Sequence, residues 1–149
     1  MCGRYTLIDL QQALKAAGIS IAIGPKSLVP QYNIAPSQLV PVLLDRSPNE
    51  LTMAKWGLIP HWSKDPKIGY KMINARAETI TEKPTFKKLF YSQRCLFLAA
   101  GFFEWQPAGT TKIPHRITLK SGGPFGFAGL WDAWEDPKSR STREGPGHA

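Results

Sequence analysis

Residues 94–106, RCLFLAAGFFEWQ, give the clearest indication of how this chain folds. The run from Arg94 to Ala100 is short and apolar, and the run from Phe102 to Gln106 follows a glycine and is rich in aromatic residues. Both patterns are typical of β-strands, so we predict two consecutive strands here. The same signals predict two further strands and the turns that precede them, at Pro107–Thr110 (turn), Ile113–Lys120 (strand), Ser121–Pro124 (turn) and Phe125–Trp131 (strand).

The part of the chain before this stretch adds helices and a hairpin. Asp9 to Ala17 predicts a short helix that Gly18 stops. Lys83 to Ser92 predicts a second helix with Pro84 in its first turn, where a missing N–H costs least. The apolar runs Gln38–Asp45 and Leu51–Leu58, separated by polar residues 46–50, predict a hairpin. Together these elements predict an α+β domain dominated by antiparallel strands, with a curved or barrel-like sheet and a few short helices.

Length and composition limit the organisation and the class of protein. The chain has 149 residues, enough for one domain, which we assign to residues 1–134, and the polar residues 135–149 are expected to form a disordered tail. No apolar run is long enough to span a bilayer and nothing resembles a signal peptide, so a cytoplasmic protein without a membrane segment is expected. Two distant cysteines and three histidines without ligand spacing predict no metal site, and we expect no cofactor.

The net charge of +8 indicates an anionic partner. From Lys64 to Arg94 there are eight basic and three acidic residues, so eight minus three, a net +5, lies in about a fifth of the chain. Aromatic residues are interleaved with these charges. Such a mixture can stack bases while it neutralises phosphates, which favours a nucleic acid as the partner.

The two cysteines have different settings. Cys95 lies in an apolar run and is interpreted as a buried strand thiol. Cys2 follows Met1, and removal of Met1 would expose a free α-amine and a thiol on adjacent carbons. The α-amine has a reference pKa of about 7.7–8.0, so a useful fraction is nucleophilic at neutral pH. It can form a Schiff base with an aldehyde such as a ring-opened abasic site, and the thiol can then close onto the imine to give a thiazolidine.

Three further segments carry polar groups suited to such a site. Residues 32–37, YNIAPS, predict a turn with Pro36 at its tip. Residues 73–79, INARAET, place Asn74, Arg76 and Glu78 at alternate positions, which share one face if the segment is extended. Residues 101–105, GFFEW, put the Glu104 carboxylate among bulky apolar residues, a setting that suits proton transfer.

Together with MCGRY at residues 1–5, WGLIPHW at 56–62 and GLW at 129–131, these segments resemble the SOS-response-associated peptidase (SRAP) family of abasic-site processing proteins. The resemblance runs from Cys2 to about Trp134, in family order. It implies a β-rich fold with a positively charged DNA groove and, as partner, single-stranded DNA with abasic sites bound by a monomer. It implies a catalytic set of Cys2, Asn74 and Glu104, and a DNA-binding set of Arg4, Asn33, Pro36, Arg76 and Trp105. In the catalytic set the resemblance implies that Cys2 is the nucleophile, that Asn74 positions its amine and that Glu104 is the general acid/base. In the DNA-binding set it implies that Arg4 and Arg76 bind phosphates. Pro36 and Trp105 would wedge or stack at the lesion, and Asn33 would support the Pro36 loop.

The chain departs from the family in one respect. The family domain continues to a histidine in a His-Asp-Arg-Met-Pro context, which is implicated in catalysis and crosslink reversal. This sequence contains no such motif. The domain is therefore expected to be C-terminally truncated and incomplete. His61, His115 and His148 are not expected to replace that histidine. Capture of the lesion is therefore better supported than release.

Alternatives remain open at the level of sequence. An N-terminal-nucleophile amidohydrolase also begins Met-Cys-Gly and would use the thiol on an amide. A non-catalytic single-stranded DNA-binding module would need only the basic groove. The family name records a peptidase role, which could be self-removal of Met1, although a housekeeping enzyme could also remove it.

Overall fold

A computed structural model of the chain describes residues 2–20 and 29–137. Within them, strands, α-helices and 3-10 helices follow one another along the chain as β1 (Tyr5–Leu7), α1 (Leu10–Ala16), β2 (Gln31–Ile34), β3 (Leu39–Leu44), β4 (Ser47–Lys55), a 3-10 helix (Pro66–Lys71), a 3-10 turn (Ala77–Thr79), α2 (Pro84–Ser92), β5 (Arg94–Ala99), β6 (Gly101–Ala108), β7 (Thr111–Ile117) and β8 (Phe125–Leu130). No helix in this part of the chain is long and apolar enough to cross a membrane.

The strands form two four-stranded sheets, in the orders β2-β1-β6-β7 and β4-β3-β5-β8. The predicted α+β class with antiparallel strands and few helices is therefore confirmed, and the described residues contain two open sheets with no closed barrel. The chain divides into two compact units: Met1–Ala35 with Leu98–Phe127, and Pro36–Phe97 with Ala128–Ala149. The predicted domain boundary at residue 134 stays a prediction, because most of the tail, residues 138–149, lies outside the described residues.

Both predicted helices form, and local signals explain where they begin and end. The Asp9 carboxylate accepts a hydrogen bond from the Gln12 backbone N–H at 2.8 Å, which caps the start of α1. Gly18, at φ +73°, ends it, with backbone bonds from Gly18 N–H to Lys15 O (3.0 Å) and from Ile19 N–H to Leu14 O (2.9 Å). This is the paired bonding of a Schellman motif, in which glycine takes the left-handed position. In α2, Pro84 occupies the first turn as predicted.

The predicted hairpin forms, but its turn is displaced from the expected position. The turn is at Asp45 and Arg46, and residues 47–50 of the predicted loop belong to β4. The register changes from Leu43 opposite Leu51 to Leu44 opposite Ser47, so residues 48–50 form an irregularity in the strand. Among the described strands β4 lies at the edge of its sheet, where a proline and a bulge cost little because an edge strand pairs on one side only.

The hairpin of β6 and β7 positions the site in the first unit. Its two-residue turn, Gly109 and Thr110, makes Ala108 and Thr111 a hydrogen-bonded pair. Pairs alternate along an antiparallel ladder, so Pro107 and Pro114 fall in non-hydrogen-bonded pairs, where a missing N–H is not required. Successive residues of β6 point to opposite faces of the sheet. One face, here called the glutamate face, carries Phe102 and Glu104, and the other, the tryptophan face, carries Gly101, Phe103 and Trp105.

Candidate active site and nucleic-acid interface

Cys2 lies at the start of β1 and is held by main-chain groups. β1 pairs with β6 through Tyr5 opposite Phe102 and Thr6 opposite Gly101. The Phe103 N–H donates to the Arg4 carbonyl at 2.9 Å, which continues this pairing toward the chain start. The Cys2 thiol is half-buried and donates to the same carbonyl at 3.1 Å. Because backbone groups fix the thiol, its position depends on the pairing of β1 with β6.

The charge of Glu104, the predicted general acid/base, influences the Cys2 thiol. Burial raises the pKa of the Cys2 thiol and the negative charge of Glu104 raises it further, while hydrogen bonds that the sulfur accepts from the backbone of Arg4 and Phe103 act in the opposite direction. Burial also raises the pKa of Tyr5, with a contribution from Cys2. The net effect is a raised pKa, which keeps the Cys2 thiol protonated at neutral pH.

Glu104 is partly buried and shares its face of β6 with Phe102, a member of an aromatic cluster. Phe102, on the same face of β6, contacts the rings of Phe125 and Phe127 edge-on, at 6.4 Å and 5.7 Å between ring centroids. Tyr5 meets Phe127 in the same way at 6.4 Å. His115 is directly opposite Glu104 on β7 and is exposed, in keeping with its interpretation as a surface residue.

The predicted DNA-binding residues of the first unit are accessible. Arg4 is partly exposed, and its Nη1 donates to the Gly3 carbonyl at 3.0 Å. Trp105 is 39% exposed and contacts Phe103 at 6.4 Å between ring centroids. Asn33 is exposed on β2, a strand that the sequence did not predict. An accessible guanidinium, indole and amide fit the roles that the resemblance implies.

The other predicted residues belong to the second unit. Pro36 lies in a turn, as predicted, and the next residue, Ser37, has φ +73°. Asn74 and Arg76 are exposed, and Arg76 is extended at φ −85° and ψ 125°. A 3-10 turn begins directly after Arg76, so Glu78 lies in that turn. The expectation of three alternating residues on one extended face is therefore wrong at Glu78, because the backbone turns before that position.

The segment WGLIPHW, residues 56–62, supports the chain that leads to Asn74. The Trp56 indole N–H donates to Ile73 O at 3.0 Å, and the Leu58 N–H donates to Met72 O at 3.0 Å. Gly57, at φ +127°, packs so closely that a Cβ there would lie 2.6 Å from the Gly69 carbonyl oxygen. The motif thus fixes the backbone just before Asn74, a role that sequence spacing alone does not reveal.

The second unit also presents the basic segment predicted from charge. Its eight basic side chains are all exposed: Lys64, Lys67, Lys71, Arg76, Lys83, Lys87, Lys88 and Arg94. Three aromatic side chains of the same region are exposed too: Trp62 at 59%, Tyr70 at 63% and Tyr91 at 65%. Exposed cations and rings are the groups that bind single-stranded nucleic acids.

Other interactions in this unit are structural. Burial, with a contribution from Asp45, raises the pKa of the Cys95 thiol to about 12, which confirms a buried thiol. The His61 ring Nδ1 lies 2.9 Å from the buried carboxylate of Asp132, a partner that sequence separation conceals. No group of three or more His, Cys, Asp or Glu residues that could hold a metal occurs in residues 2–20 and 29–137.

Several known proteins are similar to this chain. A family model described as SOS response associated peptidase (SRAP) matches residues 1–145. The abasic site processing protein YoqW of Bacillus subtilis (strain 168) is 48% identical over 141 residues, which cover 93% of this chain and 63% of that protein. The abasic site processing protein HMCES of Xenopus tropicalis is 36% identical over 143 residues, which cover 76% of this chain and 43% of that protein. A crystal structure of a protein from Bacteroides thetaiotaomicron has a TM-score of 0.79 at 27% identity and covers 99% of this chain and 65% of its own. The chain thus spans less than two thirds of the length of each of these relatives.

Proposed function

Because this chain belongs to the SOS response associated peptidase (SRAP) family, we propose that it captures abasic sites in single-stranded DNA as a covalent adduct of Cys2. The observation that carries the proposal is the setting of the Cys2 thiol at the start of β1, where it is half-buried, donates to the Arg4 carbonyl and is influenced by the charge of Glu104. The names of the Bacillus and Xenopus relatives support the lesion as substrate. All the residues invoked come from one chain, so a monomer suffices.

The chemistry begins with removal of Met1, which places the α-amine on Cys2. The nitrogen lone pair attacks the aldehyde carbon of the ring-opened abasic sugar and forms a carbinolamine. Glu104 in its acid form protonates the departing hydroxyl, which leaves as water, and a protonated Schiff base results. Because the pKa of the thiol is raised, the amine reacts before the sulfur.

Ring closure completes the adduct. The Cys2 sulfur adds to the carbon of the protonated imine as the Glu104 carboxylate takes the thiol proton; the nitrogen keeps its hydrogen as a secondary amine, and Glu104 is left in its acid form, as it began. The sum is aldehyde plus aminothiol giving thiazolidine plus water, so no oxidant, reductant or cofactor is consumed. Asn74 is proposed to position the amine. Arg4 and Arg76 are proposed to hold the flanking phosphates, with Pro36 and Trp105 at the displaced bases and Asn33 beside the Pro36 turn.

A denaturing gel tests the proposal. The protein, with loss of Met1 checked by intact mass, is mixed with a single-stranded oligonucleotide that carries one abasic site. We expect a shifted band that resists heat and detergent, and we expect Cys2→Ala and an N-terminal tag to abolish it. Cys2→Ser should give only a Schiff base that borohydride traps. Cys95→Ser is the matched control and should crosslink like the unaltered protein, because that thiol is buried.

Two outcomes would overturn the proposal. One is folded, correctly processed protein that gives no covalent band. The other is a band that persists in Cys2→Ala without borohydride. Salt-sensitive binding that ignores the lesion would instead indicate the non-catalytic binding module, and glutamine hydrolysis without reaction at DNA would indicate an amidohydrolase.

A further inference from the structure

Arg116 is a cation that the proposed mechanism does not use. It lies on β7 directly opposite Phe103, and it is exposed. Its Nη2 donates to the hydroxyl of the buried Thr6 at 3.3 Å and to the Ala100 carbonyl at 3.2 Å. To reach them the side chain crosses Gly101, where a Cβ would lie 3.0 Å from the Arg116 Nε. The guanidinium is therefore anchored on the sheet instead of extending freely into solvent.

The strand register places Arg116 beside two predicted DNA-binding residues. Residues directly opposite each other on neighbouring strands share a face, and the bond from Phe103 N–H to Arg4 O makes these two residues opposite. Arg4, Phe103 and Arg116 thus occupy adjacent positions on β1, β6 and β7. Trp105, two residues after Phe103, lies on the same face. The tryptophan face accordingly carries two guanidinium groups and an exposed indole.

We propose that Arg116 binds a backbone phosphate of the captured single-stranded DNA, next to the phosphate held by Arg4. This inference rests on the proposed function and extends its DNA contacts to β7. Two of the five N–H donors of Arg116 bond to Thr6 and Ala100, which leaves three for a phosphate. Guanidinium groups suit phosphates because their donors form a planar fork. The anchor lowers the entropy lost on binding, and Trp105 offers a stacking surface for the adjoining base.

The salt dependence of binding to an undamaged oligonucleotide tests this role without interference from crosslinking. For single strands, each phosphate contact contributes about −0.7 to the slope of log K against log[salt]. Arg116→Gln should therefore flatten the slope by about 0.7, weaken binding about fivefold at 0.1 M salt, and bind like the unaltered protein near 1 M salt. Arg116→Lys should keep the slope. Lys15→Gln, which removes one exposed charge from α1, is the matched control and should change neither quantity.

A purely structural clamp across the strands makes different predictions. Under that reading Arg116→Gln lowers stability, measured by thermal unfolding, but leaves the salt slope of the folded protein unchanged, and this result would overturn the inference. Thr6→Val keeps the charge while removing one anchor, so our inference expects an unchanged slope with a loss of affinity smaller than that of Arg116→Gln.

A second measurement on the unaltered protein covers the case in which Arg116→Gln fails to fold. Phenylglyoxal modifies accessible guanidinium groups, and peptide mass spectrometry follows residue 116. We expect undamaged single-stranded DNA to slow the modification at 0.1 M salt and not at 1 M. Equal rates with and without DNA would contradict the role of Arg116. Crosslinking to the abasic oligonucleotide is measured separately. Crosslinking without protection of Arg116 by DNA would refute only the role of Arg116. Protection of Arg116 without crosslinking would refute only the covalent capture of abasic sites.

Discussion

Gly57 offers a quantitative test of the second unit. Its φ of +127° is a conformation that side chains with a Cβ rarely adopt, and a Cβ there would lie 2.6 Å from Gly69 O and 3.1 Å from Gly69 C. The opposing backbone cannot move away cheaply, because Leu58 and Trp56 bond to it at Met72 and Ile73. Gly57→Ala should therefore lower the free energy of unfolding through both backbone strain and a steric clash.

The two effects can be given magnitudes. The backbone conformation costs an alanine about 1–3 kcal/mol, and forcing an extra methyl against backbone atoms costs about 1–3 kcal/mol more. Gly109→Ala is the matched control, since Gly109 also has positive φ, at +61°, but a Cβ there would meet nothing within 4 Å. It should cost only about 1–2 kcal/mol. At about 2–4 °C per kcal/mol for a chain of this size, we expect Tm to fall by roughly 12 °C for Gly57→Ala and by about 4 °C for Gly109→Ala.

Thermal unfolding followed by circular dichroism, at one protein concentration and one scan rate, measures both variants. Equal losses of Tm in the two variants would refute the reasoning, because they would show that the close approach of Gly57 to Gly69 contributes nothing. A loss in Gly109→Ala larger than that in Gly57→Ala would refute it more strongly.

Three further predictions concern titratable groups. Glu104→Gln should slow crosslinking by roughly 100-fold or more yet speed alkylation of Cys2 by iodoacetamide at pH 7, because the carboxylate raises the thiol pKa; alkylation at an unchanged rate would contradict this. Burial alone would raise the pKa of Asp45, but hydrogen bonds from the Arg94 backbone and the Trp131 indole, together with the Arg94 charge, lower it below its unfolded value. The stabilisation by Asp45 is therefore present above the unfolded pKa of about 3.9 and lost as the pH falls through the folded pKa, so urea unfolding should show a gap between the unaltered protein and Asp45→Asn at pH 7 that closes below about pH 4. Cys95, with a pKa of about 12, should be alkylated far more slowly than Cys2 in the native protein and equally fast in urea, as measured by peptide mass spectrometry.

Local signals made part of the fold predictable. Asp9 and Gly18 mark the two ends of α1 through hydrogen bonds to residues a few positions away, and Pro84 marks the first turn of α2. The positions of both helices could therefore be predicted without knowledge of tertiary contacts. The turn of the first hairpin was misplaced because residues 48–50 have the composition of a loop. Their place in β4 depends on its position at the sheet edge, which a single sequence does not reveal.

β1 and β2 were not predicted for a related reason. β1 has three residues and β2 four, of which three are exposed, so neither shows a hydrophobic period long enough to detect. They are strands because they pair with each other and because β1 pairs with β6. Long-range pairing of this kind is the part of a β-rich fold that local patterns describe least well.

The candidate site likewise has residues that sequence motifs identified and residues that only the fold identifies. The resemblance in motifs predicts that Cys2 and Glu104 work together, and this stays a prediction, supported by the contribution of the Glu104 charge to the raised pKa of the thiol. Arg116 carried no motif, and its anchor on Thr6 joins residues that are 110 positions apart in the sequence. Only the register of three strands identifies it as a neighbour of Arg4.

That register has a functional consequence, because β6 supplies different groups to its two faces. Glu104 lies with Phe102 on the glutamate face, while Phe103 and Trp105 lie with Arg4 on the tryptophan face. A slip of one residue would exchange the two sets, since side chains alternate with a period of two. A slip of β6 would also bring Pro107 into a hydrogen-bonded pair with β7, and a slip of β7 would do the same for Pro114, so either slip would leave a ladder bond unmade. Each proline therefore opposes a slip of its own strand, and together they keep Glu104 on one face of β6 and the Trp105 indole on the face that carries the two arginines.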